Sequence, residues 1–154
     1  MATNVWDLFG NVVSRDLLDL CVGKQLGTGM SRDVYEFGPD PSLVIKFETV
    51  AGNFQNVFEY EIWNTVKGTE AEKWFAPVLR ISDNGKCLLM KRTEALGWNE
   101  KPAKMPRFLT DLKIQNFGWL DGQLVAHDYG FSYLMEKGMK PVMVNVSKEW
   151  WKAE

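Results

Sequence analysis

The stretch Phe108–Gly130 constrains this chain more than any other, because it sets four polar side chains around one short hairpin. Asp111, Lys113 and Asn116 lie before the hairpin and Asp128 lies after it. Phe117–Leu120 reads as a strand, Asp121-Gly122 as a two-residue turn, and Gln123–Ala126 as the return strand. Asp-Gly between apolar runs favours the primed turn that a tight hairpin needs. Such a hairpin carries Asp128 back toward Asp111 and Asn116. Two carboxylates and an amide oxygen make a hard oxygen site of the kind that suits magnesium carrying phosphates.

The segments upstream supply matching chemistry. Gln25–Glu36 contains Gly27 and Gly29 between the strand residues Leu26 and Val34. Glycine lets backbone N–H groups approach phosphate oxygens closely. Arg32 follows in the same turn, either adding charge to a bound phosphate or obstructing it. Leu43-Val44-Ile45-Lys46-Phe47 reads as a strand with one charge inside an apolar run. A helix is expected over Asn53–Lys67, burying Phe54, Val57, Phe58, Ile62 and Val66. It offers Glu59 or Glu61 as a partner for Lys46, with Glu59 preferred for the apolar residues at its helical offsets. Gly68 can end that helix, and Ala71–Phe75 adds a further helical turn before Pro77. Val78–Ser82 and Lys86–Lys91 read as strands around the Asp83-Asn84-Gly85 turn.

Together these motifs resemble the catalytic core of protein kinases. Asp111-Leu-Lys-Ile-Gln-Asn116 matches that family's Asp-Leu-Lys-x-x-Asn loop, and Asp128-Tyr129-Gly130 stands where its Asp-Phe-Gly does. Leu43-Val-Ile-Lys46 corresponds to its Val-Ala-Ile-Lys strand. Gly27, Gly29 and Val34 fit its glycine-rich loop, with Arg32 in place of the third glycine. The resemblance implies an α+β fold: an antiparallel N-lobe sheet with one helix, plus a reduced C-terminal catalytic hairpin region. It implies one minimal domain, with a helical segment over residues 1–22, an N-lobe over 23–93 and a reduced C-lobe over 94–154. It implies ATP and Mg2+ as cofactors. Asp111 would orient or deprotonate a substrate hydroxyl and Lys113 would steady the transferring phosphoryl group. Asn116 and Asp128 would hold magnesium. Lys46, paired with Glu59, would bind the phosphates. Met90 would guard the adenine pocket, and adenine would bond the backbone near Lys91 to Thr93, with Arg92 in that stretch.

The chain also departs from the family. Its His-Arg before the catalytic aspartate is Leu109-Thr110 here. Gly97, Pro102 and Pro106 leave no room for a long helix between Thr93 and Asp111. The residues after Gly130 are too few for the family's activation segment and large helical lobe. The expected activity is therefore that of a minimal Ser/Thr kinase-like phosphotransferase acting on a protein. The alternative is a pseudokinase, which regulates a partner protein without transferring phosphate. A small-molecule phosphotransferase would need a pocket that so short a C-terminal region scarcely supplies.

Composition narrows the remaining classes. The net charge is −2, whereas nucleic-acid and membrane-surface binders are usually basic, so neither partner is expected. Cys21 and Cys87 lack metal-ligand spacing and read as buried free thiols, which fits a reducing cytoplasm. No signal peptide or membrane-length apolar run is apparent. Asn4 can cap a first helix carrying Val5, Leu8, Phe9, Val12 and Val13, and Asp16–Cys21 reads as a second. His127 reads as structural. Lys101, Lys104 and Arg107 read as a mildly basic loop. Pro141–Val146 resembles a strand. Trp150-Trp151 either caps the core or anchors a partner, such as a second copy in a homodimer.

Overall fold

A computed structural model describes residues 19–132 and 134–146. The expected first helix, with its Asn4 cap, and the Trp150-Trp151 pair lie outside the described residues, as does the first half of the expected second helix, of which residues 19–21 are helical. The fold is α+β with antiparallel sheets. The described residues divide into two compact units, one of residues 19–60 and 77–92 and the other of 61–76, 93–132 and 134–146. Among the described residues no helix is long and apolar enough to cross a membrane.

The first unit is built on a five-stranded antiparallel sheet. Its strands are β1 (Val22–Thr28), β2 (Arg32–Phe37), β3 (Leu43–Glu48), β4 (Val78–Ile81) and β5 (Cys87–Lys91), in the order β1-β2-β3-β5-β4. β3 and β5 are central and rich in β-branched and leucine side chains, as buried strands require. Alternation sorts these chains onto two faces. Leu43, Ile45, Cys87, Leu89, Phe37 and Cys21 form one apolar cluster. The opposite face carries Val44, Lys46, Leu88 and Met90, all buried. The β4–β5 turn closes as expected, with Gly85 in the left-handed region at φ +70° and its N–H on the Ser82 carbonyl at 2.8 Å.

Helix α1 (Gln55–Val66) starts after Gly52 and Phe54, both at positive φ. The Glu48 carboxylate accepts the N–H of Asn56 at 2.6 Å and so serves a helix-start donor that the helix itself cannot satisfy. The helix ends at Gly68, φ +80°, which is the left-handed C-terminal stop glycine supplies. The buried face corrects the expectation. Phe54 and Phe58 are 59% and 47% exposed, while Gln55, Asn56, Glu59, Trp63 and Val66 are buried. The expected stripe assumed that apolar residues face inward. Instead the first half of α1 turns amide and carboxylate inward, where they find charged and backbone partners.

The second unit holds a three-stranded sheet, β6 (Glu94–Ala95), β8 (Phe117–Leu120) and β9 (Gln123–Ala126), in the order β6-β8-β9. A two-stranded sheet pairs β7 (Lys104–Pro106) with β10 (Met143–Asn145). The β8–β9 turn has Asp121 at φ +51° and Gly122 at φ +77°, as a primed turn demands. Helix α2 spans Leu134–Lys137, and the further helical turn expected over Ala71–Phe75 is a 3-10 turn at Glu72–Trp74. Lys104, expected in a loop, sits in β7. Arg107 donates to the Lys137 carbonyl at 2.9 Å. Phe75 stacks on Phe108 at 5.6 Å, and Tyr129 meets Phe75 edge-on at 4.9 Å.

Candidate functional site

In the first unit the strand register gathers the expected nucleotide residues into one row. Gly27 stands opposite Val34, Val34 opposite Lys46, and Lys46 opposite Leu88. Residues directly opposite in a sheet share a face, so Gly27, Val34 and Lys46 present to the same side. Lys46 is 3% exposed and Glu59 is fully buried. The Lys46 Nζ donates to Glu59 Oε2 at 2.9 Å. Glu61 is exposed, so Glu59 is the partner of Lys46.

Sequence reasoning did not find the rest of this cluster. Arg32 is buried, and its Nη2 donates to Glu59 Oε1 at 2.9 Å. Its Nη1 donates to Asn56 Oδ1 at 3.2 Å. Asn56 in turn donates to the carbonyls of Lys46 and Lys86, at 3.2 and 3.0 Å. Arg32 thus neither lines nor blocks a phosphate loop as expected; its guanidinium belongs to Glu59. Burial pushes the Glu59 carboxyl upward, but the charges of Arg32 and Lys46 outweigh it and bring the group down to about 2.

Other expected positions have partners of their own. Gly29 spends its N–H on the Arg32 carbonyl at 2.8 Å, closing the β1–β2 turn, so that donor is committed within the turn. At Gly27 a Cβ would meet open space, so the loop leaves its backbone accessible there. Arg92 forms an ion pair with Glu36 and donates to the Pro41 carbonyl, while its N–H goes to the Ser42 carbonyl at 2.9 Å. The Lys91 N–H goes to the Pro77 carbonyl at 2.9 Å. Neither N–H is then available as a donor to a base. Met90 is fully buried between Val44 and Val78 on neighbouring strands, as a core side chain would be.

In the second unit the hairpin assembles the carboxylates. Asp111 and Asp128 are exposed and line one small depression of about 10 Å3, together with Thr110, Phe131 and Ser132. Asn116 is 7% exposed, and its Nδ2 donates to the Asp111 carbonyl at 3.0 Å. The Asn116 carbonyl accepts the N–H of His127 at 2.8 Å and of Asp128 at 3.3 Å. One asparagine therefore ties the Asp111 loop to the segment carrying Asp128. Lys113 begins the 3-10 turn Ile114–Asn116 and is half-buried outside that depression.

The neighbours of Asp128 are anchored on both sides. Tyr129 is buried and its hydroxyl donates to the Ala76 carbonyl at 2.9 Å. His127 donates from Nε2 to the Gln115 carbonyl at 2.7 Å, which leaves Nδ1 to accept the Thr93 hydroxyl at 2.6 Å. This arrangement depends on Gly118, where a Cβ would lie 2.3 Å from Thr93 Oγ1 and 2.7 Å from the Glu94 carbonyl.

The donor chemistry fits magnesium. Carboxylate and amide oxygens are its preferred protein ligands, and it commonly takes only one or two carboxylates, with water and phosphate completing its shell. No group of three or more His, Cys, Asp or Glu residues placed to hold a metal occurs among the described residues. No protein-family model matches the chain, and no curated protein matches it.

Proposed function

We propose that the chain is a protein-kinase-like, ATP- and Mg2+-dependent phosphotransferase, acting on Ser/Thr hydroxyls of a protein. The observation that carries this is the buried ion pair between Lys46, on a central strand, and Glu59, on the helix beside that strand. A lysine that deep in a sheet is costly unless paired, and the pairing aims an ammonium from a fixed position. Support comes from Asp111 and Asp128 sharing one depression, with Asn116 tying their segments together.

In this proposal Lys46 binds the phosphates of ATP, Asp128 and the Asn116 amide oxygen hold Mg2+, and Lys113 steadies the transferring group. Asp111 orients the acceptor hydroxyl and receives its proton. The metal would neutralise charge developing on the phosphate oxygens. Such catalysis is mainly positioning and electrostatics, which a small chain can supply. A cytoplasmic setting suits two buried free thiols.

Label transfer from γ-labelled ATP, in wild type beside Asp111→Ala and Asp128→Ala, tests this. The proposal expects transfer in wild type and its loss in both variants. Transfer unchanged in either variant would refute it. A second reading, a pseudokinase that binds nucleotide or partner without transfer, is favoured by the commitments of Gly29, Lys91 and Arg92, which remove donors a nucleotide would use. Nucleotide binding without transfer would select it.

A further inference from the structure

Arg32 stands where the resemblance places a glycine, yet its side chain is 7% exposed and turned onto Glu59. The two carboxylate oxygens of Glu59 take different cations, Oε1 from Arg32 and Oε2 from Lys46, each at 2.9 Å. Asn56 joins the two halves of the cluster. Its Oδ1 receives Arg32 and its Nδ2 grips the backbone of Lys46. Two other carboxylates share this sheet face: Glu48, whose Oε1 holds the Asn56 N–H, and Glu36, opposite Val44, which pairs with Arg92.

We propose that Arg32 is a positioning residue: a standing counter-ion that holds Glu59 charged and in place while Lys46 turns toward the phosphates of a bound nucleotide. This rests on the nucleotide-binding proposal above and adds a mechanism to it. A lysine that serves both a carboxylate and a phosphate divides its attraction between them. If it were the sole cation on a fully buried carboxylate, phosphate binding would leave that carboxylate poorly compensated, and it would protonate or pull away. Arginine removes this conflict. It stays charged at any working pH, and its planar fork spans two acceptors at once. Here it spans Glu59 and Asn56, so the helix carrying Glu59 stays fixed to the strands. The low position of the Glu59 titration, set against burial by the two cations, agrees with this division of labour.

The test compares Mg-ATP dissociation constants of wild type, Arg32→Met and Arg32→Lys at pH 5.5 and pH 8. Each is expressed as a ratio to wild type at the same pH, which cancels the protonation of ATP itself. Without Arg32, Glu59 depends on Lys46 alone and its protonation moves toward the accessible range. The Arg32→Met ratio should be roughly tenfold at pH 8 and several-fold larger again at pH 5.5, since each pH unit of displaced titration is worth tenfold. Arg32→Lys keeps the charge, so its ratio should be smaller and the same at both pH values. A folded Arg32→Met protein whose ratio is one, or is equal at both pH values, overturns the role of Arg32. If Arg32→Met does not fold, an Arg32→Lys ratio that grows with acid overturns it. Wild type that binds no Mg-ATP overturns the nucleotide proposal, and this inference with it.

Discussion

Replacing Glu59 with glutamine removes one charge from the centre of a buried cluster and keeps its shape. Lys46 and Arg32 would both remain, 4% and 7% exposed at their side chains, facing an amide in place of a carboxylate. Removing one partner of a buried ion pair costs about 3–5 kcal/mol, because the remaining charge stays desolvated without compensation. The lowered Glu59 carboxyl points the same way. It falls from 4.5 to about 2, a difference of 4.5 − 2, or 2.5 pH units. At about 1.4 kcal/mol per unit, that corresponds to roughly 3–4 kcal/mol. The sign is fixed by the direction of the shift. The folded value is depressed, so the stabilisation is fully present above about 4.5 and is lost as pH falls from there through about 2. Urea unfolding of wild type and Glu59→Gln, at pH 7 and in steps down to pH 2, measures both quantities. Glu59→Gln should be about 3 kcal/mol less stable at pH 7, and the gap should close across the acid window. A gap below about 1 kcal/mol at pH 7, or one that persists unchanged at pH 2, would refute the buried-cluster energetics.

Two other substitution or labelling experiments follow from local geometry. Gly118→Ala should destabilise the protein by roughly 1–3 kcal/mol, because the new methyl would meet Thr93 Oγ1 and the Glu94 carbonyl where no room exists; thermal or urea unfolding checks it, and a neutral result would mean that β6 does not approach β8 so closely. Cys87 is 4% exposed and its thiol is pushed up to about 11, chiefly by burial, so it should resist iodoacetamide at pH 8 in the folded protein and react on unfolding. Fast labelling of Cys87 in native conditions would contradict its placement in the sheet core.

The turns were the most legible part of the sequence, because Asp121-Gly122 and Asn84-Gly85 carry their backbone requirement in their own residue types. Strand β3 was legible for a similar reason, as a β-branched run with one charge inside it. The helix stop at Gly68 was visible too. The inward face of α1 was not. Its buried Asn56 and Glu59 look like solvent-facing residues until their partners are placed, and Glu59's are 13 and 27 residues away in sequence. Periodicity weighs each residue alone, whereas these are buried only as a set. Arg32 was misread on the same ground, since a charge in a loop-like motif suggests solvent or ligand. Strands β6 and β7 escaped notice because they are two and three residues long and owe their existence to distant partners, whereas β10 lies within the strand-like run Pro141–Val146. Of the site, the residue types and their order were readable. The clamp formed by Asn116 and the commitments of Gly29 and Arg92 required coordinates.

Calorimetric titration with Mg-ATP tests the proposed roles of Lys46 and of Asp128 most directly. Wild type should bind, and Lys46→Met and Asp128→Asn should each weaken binding by roughly tenfold or more, in keeping with loss of a charge-assisted contact. Asp128→Asn should also lose the dependence of binding on Mg2+. Binding by both folded variants with wild-type affinity and unchanged Mg2+ dependence would contradict the proposal.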